Sequence, residues 1–125
     1  PAGRQTMDFT VKEISEGIQL ITLSGELDMY NYNELKEYIA NVTNEKNGSF
    51  IIDCKDLTYI DSSGVSTFIY AYSTAQKRRL PLWFINIHGP VQKVIELTKL
   101  NGFLPIASSL KEVLAKVKKK AVRNQ

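Results

Sequence analysis

The chain has 125 residues, a formal net charge of +3, 43% hydrophobic and 23% charged residues. That length suits one domain, which buries roughly two thirds of the surface its unfolded chain exposes, and the composition is ordinary for a globular protein. No apolar run approaches the ~18 residues that cross a bilayer, and no basic-then-apolar opening reads as a secretory signal.

The single cysteine, Cys54, excludes an intrachain disulfide and reads as a small buried thiol at the end of an apolar run. Nothing points to an oxidising compartment, so a cytoplasmic location is expected. The positive charge is local. Lys116, Lys118, Lys119, Lys120 and Arg123 cluster near the end, and without those five the net charge falls from +3 to −2. Residues 118–125 therefore read as a basic C-terminal tail. It could touch nucleic acid or an anionic membrane, although a solvated helix end explains it more simply. Residues 1–6 show no periodicity and read as a flexible leader added ahead of a natural start at Met7.

Phe9 and Val11 alternate with polar residues as in a half-buried strand, Ser15-Glu16-Gly17 reads as a turn, and Ile18 to Leu23 as the next strand. The pair suggests an antiparallel hairpin at one side of a sheet. Gly25-Glu26-Leu27-Asp28 is expected to end that strand in a loop. Asn31, with Glu34 three residues on, matches a capping box, and Leu35, Ile39 and Val42 follow at helical spacing.

After Asn47-Gly48, Phe50 to Asp53 reads as a short strand covered on both faces. Ser62 or Ser63 is expected to open a second helix, with Val65, Phe68, Ile69 and Tyr72 on one face. Lys77, Arg78 and Arg79 suit its negative end. Leu82 to Ile87 is the most apolar strand. Pro90 starts a third helix, Asn101-Gly102 ends it, and Phe103 to Ile106 makes a short edge strand. Ser109 and Glu112 repeat the capping-box pattern ahead of Leu110, Val113, Leu114 and Val117. The order β-β-α-β-α-β-α-(β)-α calls for an α/β fold. It has a mixed sheet of four to five strands, mostly parallel, flanked by about four helices. In such sheets sites gather beyond the carboxyl ends of the strands. The loops at Asp28 and at Asp61-Ser62 both leave from that edge.

The stretch Ile60-Asp61-Ser62-Ser63-Gly64 lacks the Gly-x-Ser-x-Gly elbow. The one histidine, His88, fits an ordinary strand-to-helix loop better than a catalytic base, so no enzyme is expected and no catalytic residue is assigned. One cysteine and one histidine cannot supply a usual zinc set, and the acids lack calcium-loop spacing, so no metal site is expected. No phosphate-binding glycine loop is present, so no cofactor is assigned, and the aromatics follow core periodicities, which gives nucleic-acid recognition little support. Two readings of Ser62 stay open. As a helix N-cap it is worth roughly 1 kcal/mol. As a phosphate acceptor it stands where backbone amides and the helix dipole favour an anion.

Leu23-Ser24-Gly25-Glu26-Leu27-Asp28, followed by Asp56-Leu57-Thr58-Tyr59-Ile60-Asp61-Ser62-Ser63-Gly64-Val65, resembles the STAS domain of bacterial anti-sigma factor antagonists. Leu97-Thr98-Lys99-Leu100-Asn101-Gly102-Phe103 is similar to that family's third-helix ending, and the likeness spans residues 7–117. The resemblance implies a phosphorylation-switched protein-binding module without catalysis of its own. Its acceptor maps onto Ser62. Its partners would be an anti-sigma factor of the GHKL serine-kinase type and a PP2C-type phosphatase. Unphosphorylated, it would bind the anti-sigma factor and free the sigma factor, so regulating transcription. Asp28, Asn31, Asp61, Ser63, Gly64 and Ser66 would form the docking surface. Gly64-Val65-Ser66 stands where the family often has Gly-Leu-Gly. A stressosome-like scaffold, or a STAS subunit supporting lipid transport, is the alternative role.

Overall fold

The computed structural model describes residues 7–123, with side chains through Val117; the leader 1–6 and the tail's side chains lie outside that range. Strands β1 (Asp8–Ser15) and β2 (Ile18–Leu27) form the expected antiparallel hairpin. Next come α1 (Tyr32–Glu45), β3 (Ser49–Ile60), α2 (Ser62–Lys77), β4 (Leu82–Ile85) and α3 (Gly89–Leu97). A 3-10 turn at Leu100–Gly102, β5 (Ile106–Ala107) and α4 (Leu110–Arg123) complete the chain. The five strands lie in sequence order, with β2 through β5 mutually parallel.

Strand pleating divides the apolar side chains between two cores. On one face Ile21, Leu23, Phe50, Ile52, Leu57 and Phe84 meet the buried stripes of α1, α2 and α3. Leu35, Ile39 and Val42 supply the first stripe, as their spacing predicts. On the other face Ile18, Ile51, Ile85 and Ala107 meet Val113, with Leu110, Leu114 and Val117 packed around them. α4 therefore lies alone across from the three crossover helices, which share a face because right-handed crossovers repeat. Cys54 is fully buried in the first core, and burial, with the Asp53 carboxylate nearby, pushes its thiol well above the usual range.

Several boundaries differ from expectation. β2 does not end at Gly25 but runs on to Leu27, and β3 reaches Ile60 rather than stopping at Asp53. Both carry polar residues and register shifts in their second halves, which break the alternation that marks a strand. β4 stops at Ile85, where Asn86 takes φ 57°. α3 ends at Leu97, before Asn101-Gly102, and β5 is Ile106–Ala107, not 103–106. The second capping box is shifted by one residue. The Ser109 hydroxyl accepts from the Glu112 amide, but the Glu112 carboxylate takes the amide and hydroxyl of Ser108. Those bonds, then Lys116, hold the Glu112 carboxyl below its ordinary range. His88 does sit in a strand-to-helix loop. It precedes α3, and its Nε2–H donates to the Lys55 carbonyl at 2.8 Å.

Because β3 continues past Asp53, the last position paired with β4, its end projects beyond β4 with only β2 beside it. At the opposite end of the sheet Gly48 presses onto the β1–β2 turn. It has φ +139°, and a Cβ there would lie 2.1 Å from the Gly17 carbonyl oxygen. That oxygen also accepts from the Ser49 amide at 2.7 Å. Gly48→Ala is therefore expected to cost about 2 kcal/mol or more in urea unfolding, through strain and backbone overlap. Gly102→Ala, with nothing within 4 Å of the added carbon, should change stability by less than about 1 kcal/mol.

Candidate functional site

The site forms where β2 and β3 end side by side. Leu27 pairs with Ile60, so Asp28 and Asp61 are the first residues beyond the sheet on adjacent parallel strands. The Asp61 amide donates back to the Leu27 carbonyl at 3.2 Å. The expected approach of the two loops is therefore a consequence of register.

Asp61, and not Ser62 or Ser63, is the N-cap of α2. Its backbone is extended, and its Oδ1 accepts from the Ser63 amide at 2.9 Å and the Gly64 amide at 3.1 Å. Its other oxygen, Oδ2, accepts from the Met29 amide at 3.0 Å. One carboxylate thus satisfies two otherwise orphaned amides of a helix and ties down a loop 32 residues earlier. Ser62 is left as the first helical residue. It is exposed, and its hydroxyl has no hydrogen-bond partner among the described residues.

The loop before α1 is held from within. Asp28 is buried, and its Oδ1 accepts from the Tyr30 amide at 2.9 Å. Asn31 precedes α1 but makes no side-chain cap, so the expected capping box with Glu34 does not form. Its amide group faces the strand end instead. Oδ1 accepts from the Asp28 amide at 3.0 Å and Nδ2 donates to the Glu26 carbonyl at 2.8 Å. A tertiary partner has outcompeted the local one.

Of the proposed docking residues, Asp28, Asn31 and Gly64 are buried, Asp61 and Ser63 are half-buried, and Ser66 is exposed one turn along α2 from Ser62. Gly64 is the point of closest approach between α2 and the strands. A Cβ there would lie 2.5 Å from Ile60 Cγ1 and 3.0 Å from the Leu27 carbonyl oxygen. The Ser63 carbonyl accepts from the buried Thr67 hydroxyl at 2.9 Å.

Two residues of the site were not singled out from the sequence. Met29 and Tyr30 are 61% and 75% exposed at the tip of the Asp28 loop, among acids that are otherwise polar neighbours. Two large apolar residues between Asp28 and Asn31, in a loop, were the available signal. The edge therefore combines an exposed hydroxyl, two exposed apolar side chains and two aspartates. Among the described residues no group of His, Cys, Asp or Glu could hold a metal ion. None of the described helices is long and apolar enough to cross a membrane.

Removing the central carboxylate tests this architecture. Asp61→Ala should cost about 2 kcal/mol, the upper end for an N-cap because three amides lose an acceptor. Asp61→Asn should recover most of that, since its Oδ1 can still cap α2. Its amide nitrogen cannot accept from Met29, so hydrogen exchange at Met29 and Tyr30 should quicken while the amides of Ser63 and Gly64 stay protected.

Comparison with known proteins agrees with this architecture. The STAS domain family model matches residues 10–113. The anti-sigma-B factor antagonist of Bacillus subtilis is 26% identical over 102 residues, covering 82% of this chain and 92% of that protein. The unphosphorylated form of the anti-sigma factor antagonist SpoIIAA superposes with a TM-score of 0.76 at 20% identity, covering 90% of this chain and 97% of that one. The phosphorylated form of SpoIIAA from Bacillus gives 0.68, also at 20% identity, over 88% of this chain and 99% of its own. At such identities the superpositions establish the fold, and the family match extends over most of the chain: the protein belongs to the STAS domain family.

Proposed function

We propose that this protein is an anti-sigma factor antagonist whose docking edge is switched by phosphorylation of Ser62. The observation that carries the reading is the exposed Ser62 hydroxyl at the first turn of α2, beside Met29 and Tyr30. The partner is an anti-sigma factor of the GHKL serine-kinase type. In its absence of phosphate the edge docks on that factor and the sigma factor is released. A PP2C-type phosphatase restores the docking state.

The geometry suggests how the charge would act. Phosphoryl transfer forms a bond from Ser62 Oγ to the γ-phosphorus of ATP, releases ADP, and passes the hydroxyl proton to the kinase. The nearest helix amides, those of Ser63 and Gly64, are already taken by Asp61. The phosphate therefore gains little from them and projects about −1.5 to −2 charges toward the partner. Asp61 and Asp28 add to that negative field. Exposed Met29 and Tyr30 supply the apolar contact that such charge would keep hydrated. Asn31, Gly64 and Asp28 serve the edge by holding its shape. Ser63 and Ser66 flank the acceptor, and Ser66 adds a polar side chain on the docking turn. The domain spans 7–117, with 118–125 as a basic extension.

Intact-mass analysis with site mapping, after incubation with ATP, magnesium and anti-sigma kinases of the source organism, tests this directly. One added phosphate on Ser62 is expected, absent in Ser62→Ala. Phosphorylation should weaken kinase binding tens- to hundreds-fold, since ~1.4 kcal/mol is tenfold. Met29→Ala, at a side chain that is 61% exposed, should weaken docking several-fold without changing the thermal midpoint. Absence of phosphate with every such kinase, from folded protein, would overturn the switch.

A further inference from the structure

We propose that the opposite pole of the molecule, at the amino ends of the strands, is a docking surface for an anionic lipid bilayer. Parallel topology brings to this pole the β1–β2 turn, the ends of α1, α2 and α3, the starts of β3 and β4 and the last turns of α4; the docking surface is the α2, α3, β4 and α4 side, and the acids Glu16 and Glu45 belong to the other side.

The surface has apolar tips. Leu97, the last residue of α3, is 77% exposed, and Phe103, just past the 3-10 turn, is 52% exposed. Phe103 is not loose. Its ring stands edge-on against Tyr72 of α2, with centroids 5.3 Å apart. Tyr72 in turn lines a hollow of about 390 Å³ with Arg79, Pro81 and Trp83. Lys116 of α4 lies over the Trp83 ring at 4.7 Å from its centroid. Phe103, Tyr72, Trp83 and Lys116 are thereby one continuous surface.

Cations ring those tips. Arg79 and Lys99 occupy left-handed turn positions at the ends of α2 and α3, with φ 56° and 60°, and both are exposed. Lys93 is exposed on α3, and Lys77 on the last turn of α2. Beyond its first turn α4 carries Lys116, Lys118, Lys119, Lys120 and Arg123, and Lys116 pairs with Glu112 at 3.4 Å. Its apolar stripe is spent on the sheet, so its helical backbone, which continues to Arg123, brings basic sequence past this pole. Glu96 is the one acid between Gly89 and Ala107.

Exposed aliphatic and aromatic tips inside a ring of lysines match the interfacial zone of a bilayer, where apolar side chains enter the acyl boundary and cations meet anionic headgroups. A nucleic acid would use the cations but would leave Leu97 without a role. The acids of the Ser62 edge lie at the other end of the strands, so a bound membrane would leave that edge free.

Co-sedimentation of the full chain with vesicles tests the proposal. Binding is expected to vesicles of phosphatidylcholine mixed with phosphatidylglycerol, and at least about tenfold less to phosphatidylcholine alone or in high salt. Leu97→Glu/Phe103→Glu should reduce partitioning about tenfold or more, with kinase docking unchanged and a thermal midpoint lowered only by the lost Phe103–Tyr72 ring contact. Should that double variant lose its fold, Leu97→Ser together with Lys99→Gln replaces it, both positions being exposed. Ser62→Ala should bind vesicles as the parent does, which separates this surface from the phosphorylation switch. Equal binding to both vesicle types, full binding by the folded variants, or binding to duplex DNA or RNA with none to vesicles would overturn it.

Discussion

The Asp61 carboxylate is the interaction on which the edge carrying Ser62 depends. Its Oδ1 closes the first turn of α2 and its Oδ2 holds the Met29 amide. Each bond involves a charged acceptor, which makes it stronger than a neutral pair. The group is placed by the β2–β3 register, since Ile60 pairs with Leu27 and the Asp61 amide returns to the Leu27 carbonyl. A rigid ladder thus sets the carboxylate, and the carboxylate sets two loops.

Close packing completes the arrangement. Gly64 lets α2 descend onto Ile60 and Leu27, which brings the helix terminus down to the end of the strands. Asn31 works from the other side, bonding to Glu26 and Asp28. Above this frame the Ser62 hydroxyl, Ser66 and the side chains of Met29 and Tyr30 are exposed. Rigidity beneath and exposed groups above suit the proposed switch, because a phosphate on Ser62 would then change the partner's view without remaking the domain.

The parallel sheet also separates charge. Asp28 and Asp61 lie at the carboxyl ends, while Arg79, Lys99 and Lys116 outnumber Glu16 and Glu45 toward the amino ends. Helices that return from the carboxyl edge to the amino edge place their C-termini at the second pole, where cations are favoured by the helix dipole. The net charge of +3 conceals this polarity. Two unlike ends are what the proposed protein-docking edge and the proposed membrane surface would need.

The sequence by itself determined the element order, the amphipathic stripes of α1 and α4, and the Asp61-Ser62 terminus, because helical spacing and turn chemistry are local. Leu35, Ile39 and Val42 were legible for that reason, as were Leu110, Val113, Leu114 and Val117. The family pattern likewise resides in contiguous segments. Only the tertiary structure decided that Asp61 caps α2, that Asn31 serves the strand end in place of a capping box, and that β2 and β3 run on to Leu27 and Ile60. Each of these depends on partners brought together by strand pairing or by the loop that leaves it, and a local pattern cannot rank such a partner against a neighbour in sequence. Met29 and Tyr30 were overlooked for the same reason: exposure is a property of what packs around a residue, and their loop became a surface only when Asp61 tied it to α2.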